Sequence, residues 1–238
     1  MLKKLFDRDE VWFAVLWIVI YVGGFGNADM LSETIGVPKL LTVLLGLALS
    51  AVLYLFVRRH KLFAYYGLCG VQGGGRRFLY FVPLAVISSV NFWNGVTVNA
   101  PALESLLYIV SMCFVGFLEE LIFRGLLFKG MCKSSVKAAI IVSSLTFGVG
   151  HIVNLLVGAP LLDTLLQLVY ASAIGFCYTA VFYVGGSILP CILSHIVVNA
   201  TSVFAVTPDS GMNILIALVQ TALGLAYGLW LLRAEKQN

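Results

Sequence analysis

"GFLEELIFRG", residues 116–125, sets Glu119, Glu120 and Arg124 inside a run that is otherwise Gly, Phe, Leu and Ile. The rest of the chain explains why charges there are unusual. Of its 238 residues 61% are hydrophobic and only 11% charged, and the mean hydropathy is +1.00. No soluble globular domain has that composition, so the fold class expected is an all-α polytopic membrane protein. A helix of roughly 20 apolar residues crosses the hydrocarbon core. Charged and turn-forming breaks divide the sequence into about eight such stretches, near 11–27, 38–57, 77–95, 103–128, 136–157, 162–184, 187–206 and 212–232.

Basic residues collect in cytoplasmic loops of membrane proteins. Lys3, Lys4 and Arg8, then Arg58, Arg59, Lys61, Arg76 and Arg77, then Lys129, Lys133 and Lys137, and finally Arg233 and Lys236 fall on one side of this arrangement. Asp29, Glu33, Glu104, Asp163 and Asp209 fall on the other, with Lys39 against the trend. The expectation is a multi-pass cell-membrane protein with both termini cytoplasmic and a retained first span, since no cleavage site follows it. The net charge of +4 needs no nucleic acid, because an anionic leaflet suffices as partner. Five cysteines without C-x-x-C spacing suggest neither a disulfide framework nor a zinc knuckle. The loop near 58–76 reads as interfacial, with Tyr65 and Tyr66 as headgroup anchors, and Gly224 and Gly228 read as a close packing of helices within one chain.

An ionisable group at membrane depth costs at least ~2.5–3.5 kcal/mol, so it normally faces the protein interior and marks a functional site. The chain carries few: Glu119, Glu120, Arg124, His151 and His195, with Asn154 and Asn199 beside the histidines. On a helix, positions i and i+4 share a face and neighbours diverge by about 100°. Glu120 is therefore expected to pair with Arg124, leaving Glu119 the freer carboxylate. Phe147 lies one turn before His151, Gly148 and Gly150 thin that helix for a neighbour, and His195 and Asn199 can donate toward one point. At 1.5 Å per residue, Glu119 and Glu120 lie about 14 Å in from Lys129, His195 about 12 Å in from Ser187 and His151 about 21 Å in from Lys137. For the depths to agree, the helix carrying His151 must start after "KSSVK".

Carboxylates, imidazoles and an amide suit hydrolysis. A Glu, alone or sharing a water with a His, can take the water's proton as it attacks a peptide carbonyl. A His and an Asn on one face can stabilise the oxyanion that develops. The alternative is Zn²⁺ held by Glu and His side chains, though no H-E-x-x-H is present. Cys191 and His195 are also i and i+4, but a Cys–His nucleophile is not the expected reading. "EELIFRG", "FGVGH" followed by Asn154, and "SILPCILSHIVVN" resemble, in order and spacing, the E-E-x-x-x-R, F-x-x-x-H and H-x-x-x-N motifs of the CPBP family, the type II CAAX prenyl endopeptidases with the bacteriocin-processing and self-immunity (ABI) proteins. The resemblance covers roughly residues 103–206.

That resemblance implies an eight-helix intramembrane endopeptidase in which Glu119 and His151 activate water, His195 and Asn199 form the oxyanion site, and Glu120 with Arg124 supports them, Phe147 and Asn154 flanking. A metal, if present, would be zinc held by Glu119, His151 and His195; the metal-free glutamate mechanism is preferred. The domains expected are N-terminal helices over 1–100, a catalytic core over 101–207, and a final helix and tail over 208–238. A compact chain with short loops reads as bacterial, so the partner expected is a small membrane-associated peptide or leader rather than a prenylated protein. The chain is expected to act as a monomer. The rival expectations are a non-catalytic immunity or scaffold protein and a small transporter or proton relay.

Overall fold

A computed structural model describes residues 2–236, and among these the chain is predominantly helical with no strand, only an isolated β-bridge between Val96 and Ala205. The helices are α1 (Leu2–Arg8), α2 (Glu10–Thr34), α3 (Leu40–Arg59), α4 (Val82–Ser88), α5 (Ala102–Glu119), α6 (Lys129–Cys132), α7 (Val136–Val149), α8 (Leu161–Gly185), α9 (Leu189–Thr201) and α10 (Ser210–Lys236). Six segments are long and apolar enough to cross a membrane: Glu10–Thr34, Leu40–Arg59, Ala102–Cys132, Val136–Val157, Leu161–Gly185 and Ser210–Lys236. These are six of the eight expected spans, so the protein is an all-α polytopic membrane protein.

The other two differ for local reasons. The stretch 77–95 is broken: Leu79, Tyr80 and Phe81 all take left-handed backbone (φ +51°, +53° and +59°), and Pro83 opens the short α4. Left-handed L-residues cost roughly 1–2 kcal/mol each, so the break must be held from outside, and Tyr227 of α10 donates to the Phe78 carbonyl at 2.7 Å. The stretch 187–206 is the short α9 continued by a 3₁₀ turn to Phe204.

Contacts between helix ends agree with the grouping of loops by charge. Glu10 accepts from Tyr65 and Lys133, Arg77 pairs with Glu235, and Ser187 donates to the Cys69 carbonyl, all from segments assigned to the basic side. At the other end Lys39 pairs with Asp29, Asn213 donates to Asp163, and the Thr97 amide donates to the Phe204 carbonyl. Asp29 lies inside α2 rather than in a loop, because that helix runs several residues further than hydropathy alone predicts.

Of the two tyrosines of the basic loop, Tyr66 is buried and is no headgroup anchor, whereas Tyr65 is partly buried. Tyr66 is 1% exposed, and Tyr65 donates to Glu10 at 2.8 Å; burial, followed by that carboxylate, pushes the Tyr65 hydroxyl far above its usual value and keeps it a donor. Gly224 and Gly228 seat α10 on α8: a Cβ would fall 2.8 Å from the Ala173 carbonyl at the first and 2.6 Å from Phe176 at the second. The match thus packs within the chain, as expected.

Two further glycines position the functional groups. A Cβ at Gly116 would lie 2.6 Å from the Ile196 side chain and 3.0 Å from its amide, so this glycine lets α5 meet α9 closely, one turn from Glu119 and Glu120 and next to His195. Gly148 lets α7 press on α8 at Leu168 and Ser172, whereas Gly150 faces open space and thins nothing. Beyond α5 the chain does not continue as an ordinary α-helix. Glu120–Phe128 winds as a π-helix, and all nine of its residues are buried. Such wide turns are rare and occur frequently at functional sites.

Candidate active site

The carboxylates of "GFLEELIFRG" part as helical geometry predicts. Arg124 Nη1 donates to Glu120 Oε1 at 3.1 Å, and both side chains are 0% exposed. Glu119 is 13% exposed and lies on a different face, outside this pair. Its Oε1 accepts from the Tyr21 hydroxyl at 2.5 Å, and its Oε2 faces His195 Nε2 at 3.6 Å.

His195 joins the two carboxylates. Its Nδ1 lies 2.9 Å from Glu120 Oε1; an ionised carboxylate only accepts, so Nδ1 carries the proton. That leaves Nε2 directed at Glu119, across a gap too long for a direct hydrogen bond and suited to a water or a substrate oxygen. With His195 carrying both ring protons, the side chains of Glu119, Glu120, Arg124 and His195 sum to no net charge, which is how a buried cluster of ions avoids an unpaired member.

Phe147 is the hub of the site. Its ring lies 5.6 Å from that of His195, 5.7 Å from that of His151 and 4.1 Å from the Arg124 guanidinium. The aromatic face thereby takes part of the arginine's charge, and Gly175, where a Cβ would sit 3.1 Å from both Arg124 and Phe147, leaves room for the stack. The helix bearing His151 starts at Val136, capped by Ser135, not after "KSSVK". His151 follows directly on α7, at the start of the 3₁₀ turn 150–157.

His151 is held by residues that sequence reading overlooked or placed loosely. Gln167 Nε2 lies 3.3 Å from His151 Nδ1, and Gln167 Oε1 accepts from Asn154 Nδ2 at 2.8 Å. The chain Asn154–Gln167–His151 sets which ring nitrogen is protonated: as arranged, Gln167 donates to Nδ1 and the neutral ring keeps its proton on Nε2, whereas turning both amides over would move it to Nδ1. Gln167 could have been noticed as a lone amide in an apolar helix. Tyr21 carried no signal, since one tyrosine in a span usually only packs.

Asn199 is the expected site residue that the geometry does not bring in. One turn from His195 on α9, its side chain forms no hydrogen bond among the described residues, although its carbonyl accepts from the Ser202 hydroxyl. Cys191 points to the Tyr178 carbonyl at 3.4 Å, away from any nucleophilic use. As for a metal, no three His, Cys, Asp or Glu side chains are grouped to hold one among the described residues. Glu119 and His195 approach each other, and Gln167 meets His151 at Nδ1, so Nε2 is the atom that ring would offer if Glu119, His151 and His195 held zinc.

Residues 101–201, under half of the chain, match the family described as Type II CAAX prenyl endopeptidase Rce1-like. No match was found among curated proteins or among solved structures.

Proposed function

We propose that this chain, whose residues 101–201 are an Rce1-like domain of the CPBP family of intramembrane proteases, hydrolyses a peptide bond in a small membrane-associated peptide, a leader segment or a CAAX-like tail. The observation that carries the reading is the approach of Glu119 Oε2 to His195 Nε2 at 3.6 Å. The two oxygens of a tetrahedral intermediate sit on one carbon, so the group that binds the attacking water and the group that binds the oxyanion must be neighbours. Glu119, the carboxylate left outside the ion pair, takes the water's proton as the oxygen adds to the carbonyl, and returns it to the amine nitrogen as the C–N bond breaks. His195, doubly protonated with Glu120 at its back, donates from Nε2 to the oxyanion. His151 acts with Glu119 on the water, and Asn199 turns its free amide to the oxyanion once substrate is bound. The mechanism is metal-free. The setting is a bacterial cell membrane, both termini are cytoplasmic, as the basic loops suggest, and the protein acts as a monomer.

The test uses the purified protein in proteoliposomes with two internally quenched peptides, one ending in a farnesylated CAAX sequence and one an apolar leader without a lipid. We expect cleavage of at least one peptide, losses of at least about 10²-fold in His151→Ala and His195→Ala, and no loss on dialysis against a chelator. Full cleavage in both variants sinks the peptidase reading. Binding without cleavage favours an immunity or scaffold protein, and a chelator-sensitive rate restored by zinc sinks the metal-free mechanism. Gln167→Leu in the same assay should lower kcat about tenfold, the worth of one neutral hydrogen bond, with the folded fraction by gel filtration unchanged.

A further inference from the structure

The hydrogen bond from the Tyr21 hydroxyl to Glu119 Oε1, at 2.5 Å, is the one hydrogen bond that the Glu119 carboxylate makes among the described residues. It arrives from α2, outside residues 101–201, and that helix packs along the π-helical segment. Tyr21 is itself fixed, 7% exposed with its ring 4.6 Å from that of Phe25 one turn on. For packing alone a phenylalanine would serve, since a hydroxyl at this depth is unfavourable unless it is hydrogen-bonded.

We propose that Tyr21 is a positioning residue for Glu119, and that α2 thereby completes an active site whose other groups all lie in the Rce1-like domain. The inference rests on the peptidase reading of Glu119. A phenol facing a carboxylate donates. By occupying Oε1 it fixes the rotation of the carboxyl group about its last bond, and it leaves Oε2, the oxygen 3.6 Å from His195 Nε2, as the one that meets water. Without it the carboxyl group can rotate to angles at which neither oxygen faces the space beside His195 Nε2, and the productive angle is populated less of the time. The effect should fall on the chemical step, since Tyr21 acts through Glu119 and makes no contact that would bind a peptide.

The experiment compares full-length wild type, Tyr21→Phe, Glu119→Gln and the double variant, with the quenched farnesylated CAAX peptide and the apolar leader peptide as probes. Tyr21→Phe should lower kcat about 10- to 100-fold, the range for a hydrogen bond to a charged group, with KM within about twofold. On the Glu119→Gln background the same change should cost nothing further. A second readout needs no substrate: in protein labelled with ¹³C at the tyrosine Cζ, the resonance missing from Tyr21→Phe should move in Glu119→Gln. Full kcat in Tyr21→Phe, an equal loss on both backgrounds, or a Tyr21 resonance indifferent to Glu119→Gln overturns the inference. A Glu119→Gln enzyme as active as wild type overturns the peptidase reading with it, whereas an inactive Glu119→Gln beside a fully active Tyr21→Phe overturns this inference alone.

Discussion

Glu119→Gln is expected to lower kcat by about 10³-fold, near the middle of the range for loss of a general base, while the unfolding midpoint stays where it is. The two halves of that expectation have separate causes. Gln is of the same size, and its carbonyl oxygen can still accept from the Tyr21 hydroxyl, so the contact that seats residue 119 against α2 survives. The side chain is also partly exposed and outside the Glu120–Arg124 pair, so no buried charge loses its partner. What disappears is a group able to take a proton from water: an amide is too weak a base at the oxygen facing His195. Cleavage of the quenched peptides in proteoliposomes reads the first half, and thermal unfolding in detergent reads the second. A rate within tenfold of wild type would remove Glu119 from the chemistry. A lowered unfolding midpoint would mean that this carboxylate is structural, and the division between the two glutamates would then be wrong.

How far the sequence reveals this site depends on how far apart its partners lie along the chain. Glu120 and Arg124 are i and i+4, and the pair they form could be anticipated from spacing. It survives even though the backbone through them is π-helical, because an arginine is long enough to reach a carboxylate one turn away under either winding. The winding itself was not legible, since a buried apolar stretch gives no periodic pattern from which to read a widened turn. The link from Glu120 to His195 crosses 75 positions and the one from Tyr21 to Glu119 crosses 98, and nothing in either segment announces the other. Gln167 reaches Asn154 and His151 from the next helix, only 13 and 16 positions on; its amide stands out in an apolar helix, but nothing in the sequence names its partners. Hydropathy predicted the six long helices, because each must be apolar over the stretch that crosses the hydrocarbon core whatever its partners are. It misjudged 77–95, where the composition suits a span but the break is held by a contact from α10. It also misjudged Tyr66, since an aromatic residue in a basic loop has the same composition whether it meets a headgroup or the protein interior.

The largest effect on stability should come from the other carboxylate. Glu120→Gln is expected to destabilise the protein by about 3–5 kcal/mol, the usual result of removing one member of a buried ion pair. Arg124 is fully buried, and Glu120 is its only hydrogen-bonded partner; its Nε and Nη2 have none among the described residues. The faces of Phe147, at 4.1 Å, and Tyr178, at 5.5 Å, supply the rest of its environment, and such contacts are worth about 2 kcal/mol when desolvated, short of what the lost carboxylate provides. If the loss comes from a stranded cation, removing the cation should reverse it. Glu120→Gln combined with Arg124→Met should therefore recover most of the stability, because a buried ion pair replaced whole by uncharged side chains is often neutral or better. Activity should not return with it. Glu120 Oε1 also receives His195 Nδ1 at 2.9 Å, and an amide in its place cannot balance an imidazolium. Reversible unfolding in mixed SDS micelles and the peptide-cleavage rate, measured on the single and double variants, separate these two tasks of one oxygen. A double variant as unstable as the single one would show that the pair does not hold the fold through charge. A double variant that regains cleavage would show that His195 works without the carboxylate behind it.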